Sequence, residues 1–552
     1  MQYIIALILM IIVYITLIRK KKSEKINSNN WFNEKDTNFD FYLISKYLNN
    51  RINIEKKYYQ FITDKVSVDI DLDDVFKKTD RTISKIGQQY LYYKIRVIKN
   101  DFKQLEVFQN LIDYFKKNEK QRNECIKELS NLNTSNGYYF EELFNKDVIT
   151  NKRLVKICLT INIVFIILII ITFFKHIFFL TLIPVFCTNL FFHYRNKGAI
   201  NYHLDNISEF SKTLNTAKNI LKIDPAIKTF FENIDFFEPL LKYEKTIKAI
   251  IIEKYFKNEY LLPFWLILEL LKVSFNIEVI LFNSLLQNIN KHKEQMNDLY
   301  KFIGEIDSSI SFVGFNLSGN HFCKPTFVNT KEIFVENLYH PIIPNCITNT
   351  LELKNKSMLL TGSNMSGKTT FVRALAINSI YSQTVNISFA DSYKAPFFKI
   401  FSSIRTQDNI NSNKSFYLDE VLTIKDFITS NNINEPHLFI LDEIFKGTNT
   451  LERIAIGKAV LSFLNKQNNF VFVSTHDLEL ADLLVNDNFN LFHFSEDISD
   501  ESLTFSHKLQ KGKLQTRNAI RILGLYDYPN EIIDEANKIY TKSLEKVINQ
   551  KE

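Results

Sequence analysis

Thr361-Gly362-Ser363-Asn364-Met365-Ser366-Gly367-Lys368-Thr369-Thr370 is the stretch that decides the fold of the C-terminal part of this chain. Its G-x-x-x-x-G-K-[ST] spacing lets backbone N–H groups turn inward around the phosphates of a nucleoside triphosphate. Lys368 adds a point charge at the β- and γ-phosphates, and the Thr369 hydroxyl can hold Mg²⁺. The apolar run Met358-Leu359-Leu360 before it reads as a strand, and residues 371–380 after it read as a helix, so the phosphates sit on a helix N-terminus. The candidate nucleotide-binding residues are Gly362, Ser363, Asn364, Met365, Ser366, Gly367, Lys368, Thr369 and Thr370.

A second motif, Leu438-Phe439-Ile440-Leu441-Asp442-Glu443, follows about 75 residues later as an apolar strand ending in two carboxylates. Asp442 is expected to complete the Mg²⁺ shell through water. Glu443, one residue on and pointing the other way, is expected to polarise the attacking water. The fold class implied is an α/β P-loop ATPase domain with ATP and Mg²⁺ as cofactors, Lys368 and Glu443 carrying the chemistry and Thr369 and Asp442 the metal.

Beyond the carboxylates come Ile444-Phe445-Lys446-Gly447-Thr448-Asn449-Thr450, a further apolar strand Phe470-Val471-Phe472-Val473, and Ser474-Thr475-His476-Asp477. This order resembles the ATPase domain of the MutS family of DNA mismatch repair proteins, as do Asn364 and Met365 in the phosphate loop. Tyr339-His340-Pro341, the segment 400–408, Ser415-Phe416-Tyr417-Leu418-Asp419-Glu420 and the segment 516–536 agree in order and spacing, so the resemblance covers roughly residues 325–545. It implies that two protomers face each other with Ser415 of one near the nucleotide of the other. It further implies that His476 senses the γ-phosphate and that Asn364 lies near the nucleotide. Residues Ala519, Ile520, Leu523, Leu525, Pro529, Ile532, Ile533 and Ala536 resemble the family's helix-turn-helix dimerisation element, which implies a homodimer. Ser403 and Arg405 depart from the family, many members of which carry an arginine and a glycine there.

The N-terminal half is expected to be largely membrane-associated and helical. Residues 3–18 are almost continuously apolar and precede Arg19-Lys20-Lys21-Lys22, the pattern of an uncleaved anchor with its basic flank in the cytoplasm. Residues 157–174 and 177–192 form two more apolar runs, separated by Lys175-His176. Lys152, Arg153 and Lys156 precede them and Arg195 and Lys197 follow, which reads as a membrane hairpin with cytoplasmic ends. A fourth apolar stretch, 260–286, is interrupted by Pro263, Glu269, Lys272 and Glu278 and is expected to form buried helices of a soluble core. The expected layout is an anchor over 1–22, a cytoplasmic helical region over 23–152, a transmembrane hairpin over 153–194, a helical core and lever over 195–325, and the ATPase domain over 326–552. The chain is thus expected in the cell membrane as a multi-pass protein with its ATPase domain cytoplasmic.

Composition leaves the ligand of the basic half open. The formal charge is +7, yet residues 331–552 carry 23 basic and 26 acidic side chains, so the excess lies upstream, where it suits anionic lipid or nucleic acid. Five scattered cysteines make neither a disulfide framework nor a zinc site. Phe32-Asn33-Glu34 and Phe140-Glu141-Glu142 fit the three-residue wedge with which mismatch readers probe a base step. Neither lies in a recognisable reader domain, and both are read as coincidence. Double-stranded DNA is nevertheless the expected partner of a membrane-anchored ATPase of this type. The alternative is an ATPase switch acting on a protein or membrane partner without DNA. A transporter of the ATP-binding-cassette class is set aside, because three short spans make a meagre pathway and a Leu-Ser-Gly-Gly-Gln element is missing.

Overall fold

The computed structural model describes residues 31–35, 38–55, 58–146, 150–232, 234–251, 262–363, 366–404, 416–431, 435–498, 503–514, 519–526 and 528–549. The expected anchor over 1–22, Asn364, Met365, Arg405 and Ser415 lie outside these residues. The chain divides into two compact units, one of residues 1–56, 80–93 and 107–319, the other of residues 57–79, 94–106 and 320–552.

The first unit is helical. Its main elements are α1 (Lys85–Arg96, which runs on into the second unit), α2 (Lys152–Phe174), α3 (Phe179–Ile223), α4 (Leu262–Ser274), α5 (Ile277–Lys291) and α6 (Lys293–Leu317). The start of α1 is fastened to α6 through one carboxylate. Asp307 accepts from the backbone N–H of Ile83 at 2.7 Å and of Ser84 at 2.8 Å, and from the Ser84 hydroxyl at 2.5 Å. The Ser84 hydroxyl in turn accepts from Gly87 N at 2.9 Å, an N-cap bond. The two helices approach so closely that a Cβ on Gly87 would lie 2.0 Å from Asp307 Oδ2, and one on Gly304 would lie 2.2 Å from Tyr90 Cγ. The Phe140-Glu141 pair belongs to this core: Phe140 is buried and stacks on Phe210, and Glu141 accepts from Asn50 and Asn145.

Asn151 caps α2 by accepting from Leu154 N at 2.9 Å, and a short turn at His176–Phe178 leads into α3. Residues 152–174 and 176–223 are long and apolar enough to cross a membrane, and only 11% of the most apolar window of each is buried. α3 runs unbroken past residue 194, so the expected boundary between hairpin and helical core falls inside one helix. The fourth apolar stretch departs from expectation. α5 is buried through Val279, Phe282, Leu285, Leu286 and Ile289, but α4 turns Leu266, Ile267, Leu270 and Leu271 outward, each about half exposed, and buries Lys272.

The second unit carries the strands β1 (Thr326–Phe327), β2 (Glu332–Leu338), β3 (Asn349–Lys354), β4 (Ser357–Thr361), β5 (Ser392–Ala395), β6 (Lys399–Ser403), β7 (His437–Asp442), β8 (Phe470–Thr475), β9 (Phe489–Ile498) and β10 (Leu503–Lys511). Six of them form a sheet in the order β10-β9-β4-β8-β7-β6, parallel except for the β9/β10 pair, and β1-β5-β2-β3 form a second sheet. β4 and β8 are buried along their whole length, as strands covered on both faces must be, which explains their unbroken apolar runs. The main helices of this unit are α7 (Lys368–Val385), α8 (Phe416–Ser430), α9 (Thr450–Leu464), α10 (Ala519–Leu525) and α11 (Asn530–Asn549), with shorter ones at Asp64–Asp69, Leu72–Thr79 and Leu478–Leu484.

Segments 57–79 and 94–106 belong to this unit, not to one helical region over 23–152, and the sheet edge supplies a reason. The Gln60 amide donates to Ile400 O at 2.6 Å and accepts from Ile400 N at 2.7 Å, while Asp69 accepts from Ser402 Oγ at 2.8 Å and Ile404 N at 3.2 Å. Side chains from 57–79 thus satisfy the ladder groups of the edge strand β6, which would otherwise stand open to pairing.

Gly87→Ala forces a methyl group into the Asp307 carboxylate, and overpacking of this kind costs about 1–3 kcal/mol. Thermal unfolding of the full chain in detergent is expected to shift down for Gly87→Ala and for Gly304→Ala. An unchanged midpoint in both would show that the α1/α6 crossing is not tightly packed.

Candidate nucleotide site

The site lies at the carboxyl ends of β4, β8 and β7, where ligands of open parallel sheets collect. Strand register aligns its parts: Thr361 pairs with Thr475 and Ser474 with Asp442. The loop after β4 needs its glycines for different reasons. Gly367 caps α7 at φ +104°, a left-handed conformation that strains residues with a side chain, and a Cβ on Gly362 would lie 2.8 Å from Ser366 Oγ.

Lys368 is buried, and its ammonium donates to Gly362 O at 2.6 Å and Ser363 O at 2.8 Å. Burial lowers its pKa to about 8, against the smaller opposing pull of the Glu443 and Asp442 carboxylates. The Thr369 hydroxyl donates to Asp442 Oδ2 at 2.7 Å, and Ser474 Oγ donates to the other oxygen of Asp442. Thr369 and Asp442 therefore put a hydroxyl and a carboxylate side by side, hard oxygen donors of the kind Mg²⁺ takes beside a phosphate. Ser363 and Thr370 sit on the same loop and first helical turn, with Ser363 O receiving Ser366 Oγ at 2.8 Å.

Glu443 and its neighbours form a second cluster. The backbone of Glu443 is left-handed at φ +50° and Phe445 follows at φ +60°, so the chain turns sharply after β7. Glu443 is held by His476 Nε2 at 2.7 Å and by Lys446 Nζ at 2.6 Å. The hydrogen bond from His476 is the largest cause of its depressed pKa, about 2, with Lys446 adding to it. So weak a base is suited to orienting and polarising water, with little tendency to keep a proton. His476 Nε2 also lies 3.4 Å from Lys368 Nζ. One ring nitrogen cannot donate to Glu443 and accept from Lys368 at once, and the shorter, charge-assisted bond to Glu443 fixes it as the N–H.

The structure gives parts in the site to residues outside the phosphate loop and the Asp442-Glu443 pair. Buried Glu420, on α8, accepts from Phe445 N and thereby holds the turn that carries Glu443. A cavity of about 340 Å³ opens beside Gly367, Thr369 and Thr370, with Asn345, Ile347, Phe494 and His507 on its other walls. Its volume lies in the range of small-molecule sites. His507 Nδ1 lies 3.0 Å from Ser366 O, so that nitrogen carries the proton and faces the phosphate loop. His340 also lines it, and burial lowers the His340 pKa to about 4, which keeps the ring neutral. The phosphate loop, the Thr369–Asp442 pair, Glu443 and the cavity are thus contiguous, an arrangement able to hold a nucleoside triphosphate and direct water at its terminal phosphate. Among the expected site residues, Asn364, Met365 and Ser415 are outside the described residues, while α8 starts at Phe416 immediately after Ser415.

Residues 358–545 match the family model described as MutS domain V. The DNA mismatch repair protein MutS of Staphylococcus epidermidis is 30% identical over 279 residues, which are 48% of this chain and 31% of that protein. The DNA mismatch repair proteins MutS of Streptococcus mutans and Bacillus cytotoxicus are each 29% identical, over 290 and 309 residues. Those alignments cover 49% and 54% of this chain but 33% and 34% of the relatives, so the chain spans about a third of the length of the curated proteins it matches.

The lowered pKa of Lys368 sets a pH dependence. A bound triphosphate favours the charged ammonium and raises that pKa, so above about 8 binding must take up a proton. Affinity for a fluorescent nucleoside triphosphate is therefore expected to be level below about pH 7. It should weaken by up to about tenfold per unit above pH 8, one pKa unit being about 1.4 kcal/mol. An affinity level to pH 9.5 would contradict the burial of this charge.

Proposed function

We propose that this chain, whose residues 358–545 match MutS domain V and whose C-terminal half is similar to MutS proteins, is a membrane-anchored MutS-like ATPase that binds and hydrolyses ATP with Mg²⁺ and engages double-stranded DNA. The observation that carries the reading is the assembly of Thr369 with Asp442, and of Glu443 with His476, around Lys368 of one phosphate loop. Lys368 and the loop N–H groups hold the phosphates, Thr369 and Asp442 hold the metal, and Glu443 positions water. His476, here bonded to Glu443, is the group that turns to the terminal phosphate. A metal ion held by Thr369 and Asp442 would supply neutralisation of the charge that develops as the bond breaks.

Support for DNA comes from the relatives, which are named as DNA mismatch repair proteins. The basic excess of residues 1–330 adds to it: 45 of the 68 basic and 35 of the 61 acidic side chains lie there, a net +10. Support for the membrane comes from the two long apolar helices, whose outward faces carry residues such as Ile163, Ile167, Ile170 and Phe173. Monomeric soluble proteins rarely expose so long an apolar surface. A homodimer is supported by α10, α11 and their connection, which leave Tyr526, Tyr528, Ile532 and Ile539 exposed. The cytoplasm, where ATP is available, is then the side on which both ends of the 152–192 hairpin lie, marked by Lys152, Arg153 and Lys156 at its start and Arg195 and Lys197 beyond its end.

Steady-state ATP hydrolysis by the full chain in detergent, with and without duplex DNA, tests the proposal. Lys368→Ala should lose Mg·ATP binding. Glu443→Gln should bind ATP at the parent affinity and turn over about 10²–10⁴ times more slowly, the span of a positioned acid–base group. Duplex DNA should change the parent rate, the effect fading with salt. A parent rate indifferent to DNA would point to the alternative, a switch acting on a protein or the membrane. Parent-rate hydrolysis by Glu443→Gln would overturn the assignment of that residue.

A further inference from the structure

α4 has its polarity reversed. Leu266, Ile267, Leu270 and Leu271 fall on one side of the helix and are about half exposed, whereas Glu269 and Lys272 fall on the other and are 15% and 8% exposed. The charges of this segment face protein: Glu269 Oε1 lies 3.5 Å from His193 Nε2, and Glu278, 1% exposed, takes Lys197 at 2.9 Å. A helix of a water-soluble domain shows the opposite arrangement, while a helix in lipid keeps its ionisable groups inside and paired.

The turn between α4 and α5 carries the argument further. Ser274 O receives Asn189 Nδ2 at 2.6 Å, and Phe275 O receives Asn162 Nδ2 at 2.5 Å. Asn276, left-handed at φ +47°, donates its side-chain amide to Asn189 Oδ1 at 2.6 Å. Phe275 also packs edge-on against Phe165 at 5.6 Å between ring centroids. The carbonyls left over where α4 ends are therefore satisfied by asparagines projecting from the two long apolar helices. Asn162 lies twelve residues before the end of α2 and Asn189 ten residues after the start of α3. At 1.5 Å per residue these positions are about 15–18 Å from the hairpin tip, half of a hydrocarbon core about 30 Å thick.

Resting on the membrane reading given above, we propose that residues 262–280 form a re-entrant segment. It enters the bilayer from the cytoplasmic side beside the 152–192 hairpin, turns at Phe275-Asn276 near mid-depth, and returns along α5. Its occupant face, Leu266, Ile267, Leu270 and Leu271, meets the acyl chains. Non-helical backbone is tolerated at that depth only where protein groups satisfy it, and here Asn162 and Asn189 do so. The same bonds give the side-chain N–H groups of two otherwise costly hairpin asparagines their acceptors. No charge interrupts the outward face of α4 between Leu266 and Leu271 except inward-turned Glu269.

The test is tryptophan quenching in the full chain reconstituted into phosphatidylcholine vesicles. Leu270→Trp adds a tryptophan on the outward face of α4, with Ile267→Trp as a second variant on the same face, and Ile166→Trp marks the hairpin. The emission each adds over the native chain, which has two tryptophans, is read with acyl-brominated phosphatidylcholine and with aqueous iodide. The expected result is that brominated lipid removes more than half of the added emission of Leu270→Trp and Ile267→Trp and iodide removes almost none. Quenching of both α4 variants by iodide, with Ile166→Trp still quenched by lipid, would overturn the re-entrant segment and leave the hairpin standing. Quenching of both by neither reagent would place a protein surface or a second copy over α4 and also overturn it. If Ile166→Trp too were reached by iodide and not by lipid, the hairpin itself would fall.

Discussion

The Asp442 carboxylate is the constraint on which the C-terminal unit turns. It receives the Thr369 hydroxyl from the first turn of α7 and the Ser474 hydroxyl from the end of β8, so three separate stretches of chain meet on one side chain. Parallel register makes this possible, since Ser474 lies opposite Asp442 and Thr475 opposite Thr361. A slip of one residue would turn the alternate side chains of the strand to the other face and separate the metal donors from the phosphate loop. The unbroken burial of β4 and β8 resists such a slip, so the hydrophobic interior of the sheet is also what holds the chemistry in place.

Around that fixed point the side chains are engaged in bonds that a nucleotide must exchange. Lys368 donates to the loop carbonyls of Gly362 and Ser363, and phosphate oxygens are the stronger, charge-assisted acceptors. His476 has a single Nε2–H, given to Glu443, with Lys446 on the other carboxylate oxygen. If the imidazole turns to a terminal phosphate, Glu443 loses its largest stabilising partner and its basicity rises toward that of an ordinary carboxylate. On the proposed function, nucleotide arrival and the basicity of Glu443 would in this way be coupled through one ring. Glu420 extends the coupling to α8, because it holds the turn bearing Glu443 from the helix that begins immediately after Ser415.

What the sequence disclosed and what it concealed divide along a physical line. The phosphate loop, the Asp442-Glu443 pair and the Ser-Thr-His segment were legible because each is contiguous and its chemistry demands fixed spacing. The cavity was not, because Asn345 and Ile347 reach it from before the loop while Phe494 and His507 come from beyond residue 490. Only tertiary structure brings them together. Segment 57–79 was read as part of a helical region, since nothing local marks Gln60 and Asp69 as caps for a strand some 330–340 residues away. For α4 the sequence was misleading in an informative way. Glu269 and Lys272 argued for a soluble core, and the structure turns both inward, Glu269 toward His193, leaving the apolar face outside.

The measurement that bears most directly on the account is a structure of the full-length Glu443→Gln chain with Mg·ATP. Lys368 Nζ is expected to have left the carbonyls of Gly362 and Ser363 for the phosphates, with a metal ion held by the Thr369 hydroxyl and the Asp442 carboxylate and the base in the cavity between Ile347 and His507. A nucleotide bound elsewhere, with Lys368 still on the loop carbonyls and Thr369 still bonded to Asp442, would contradict it.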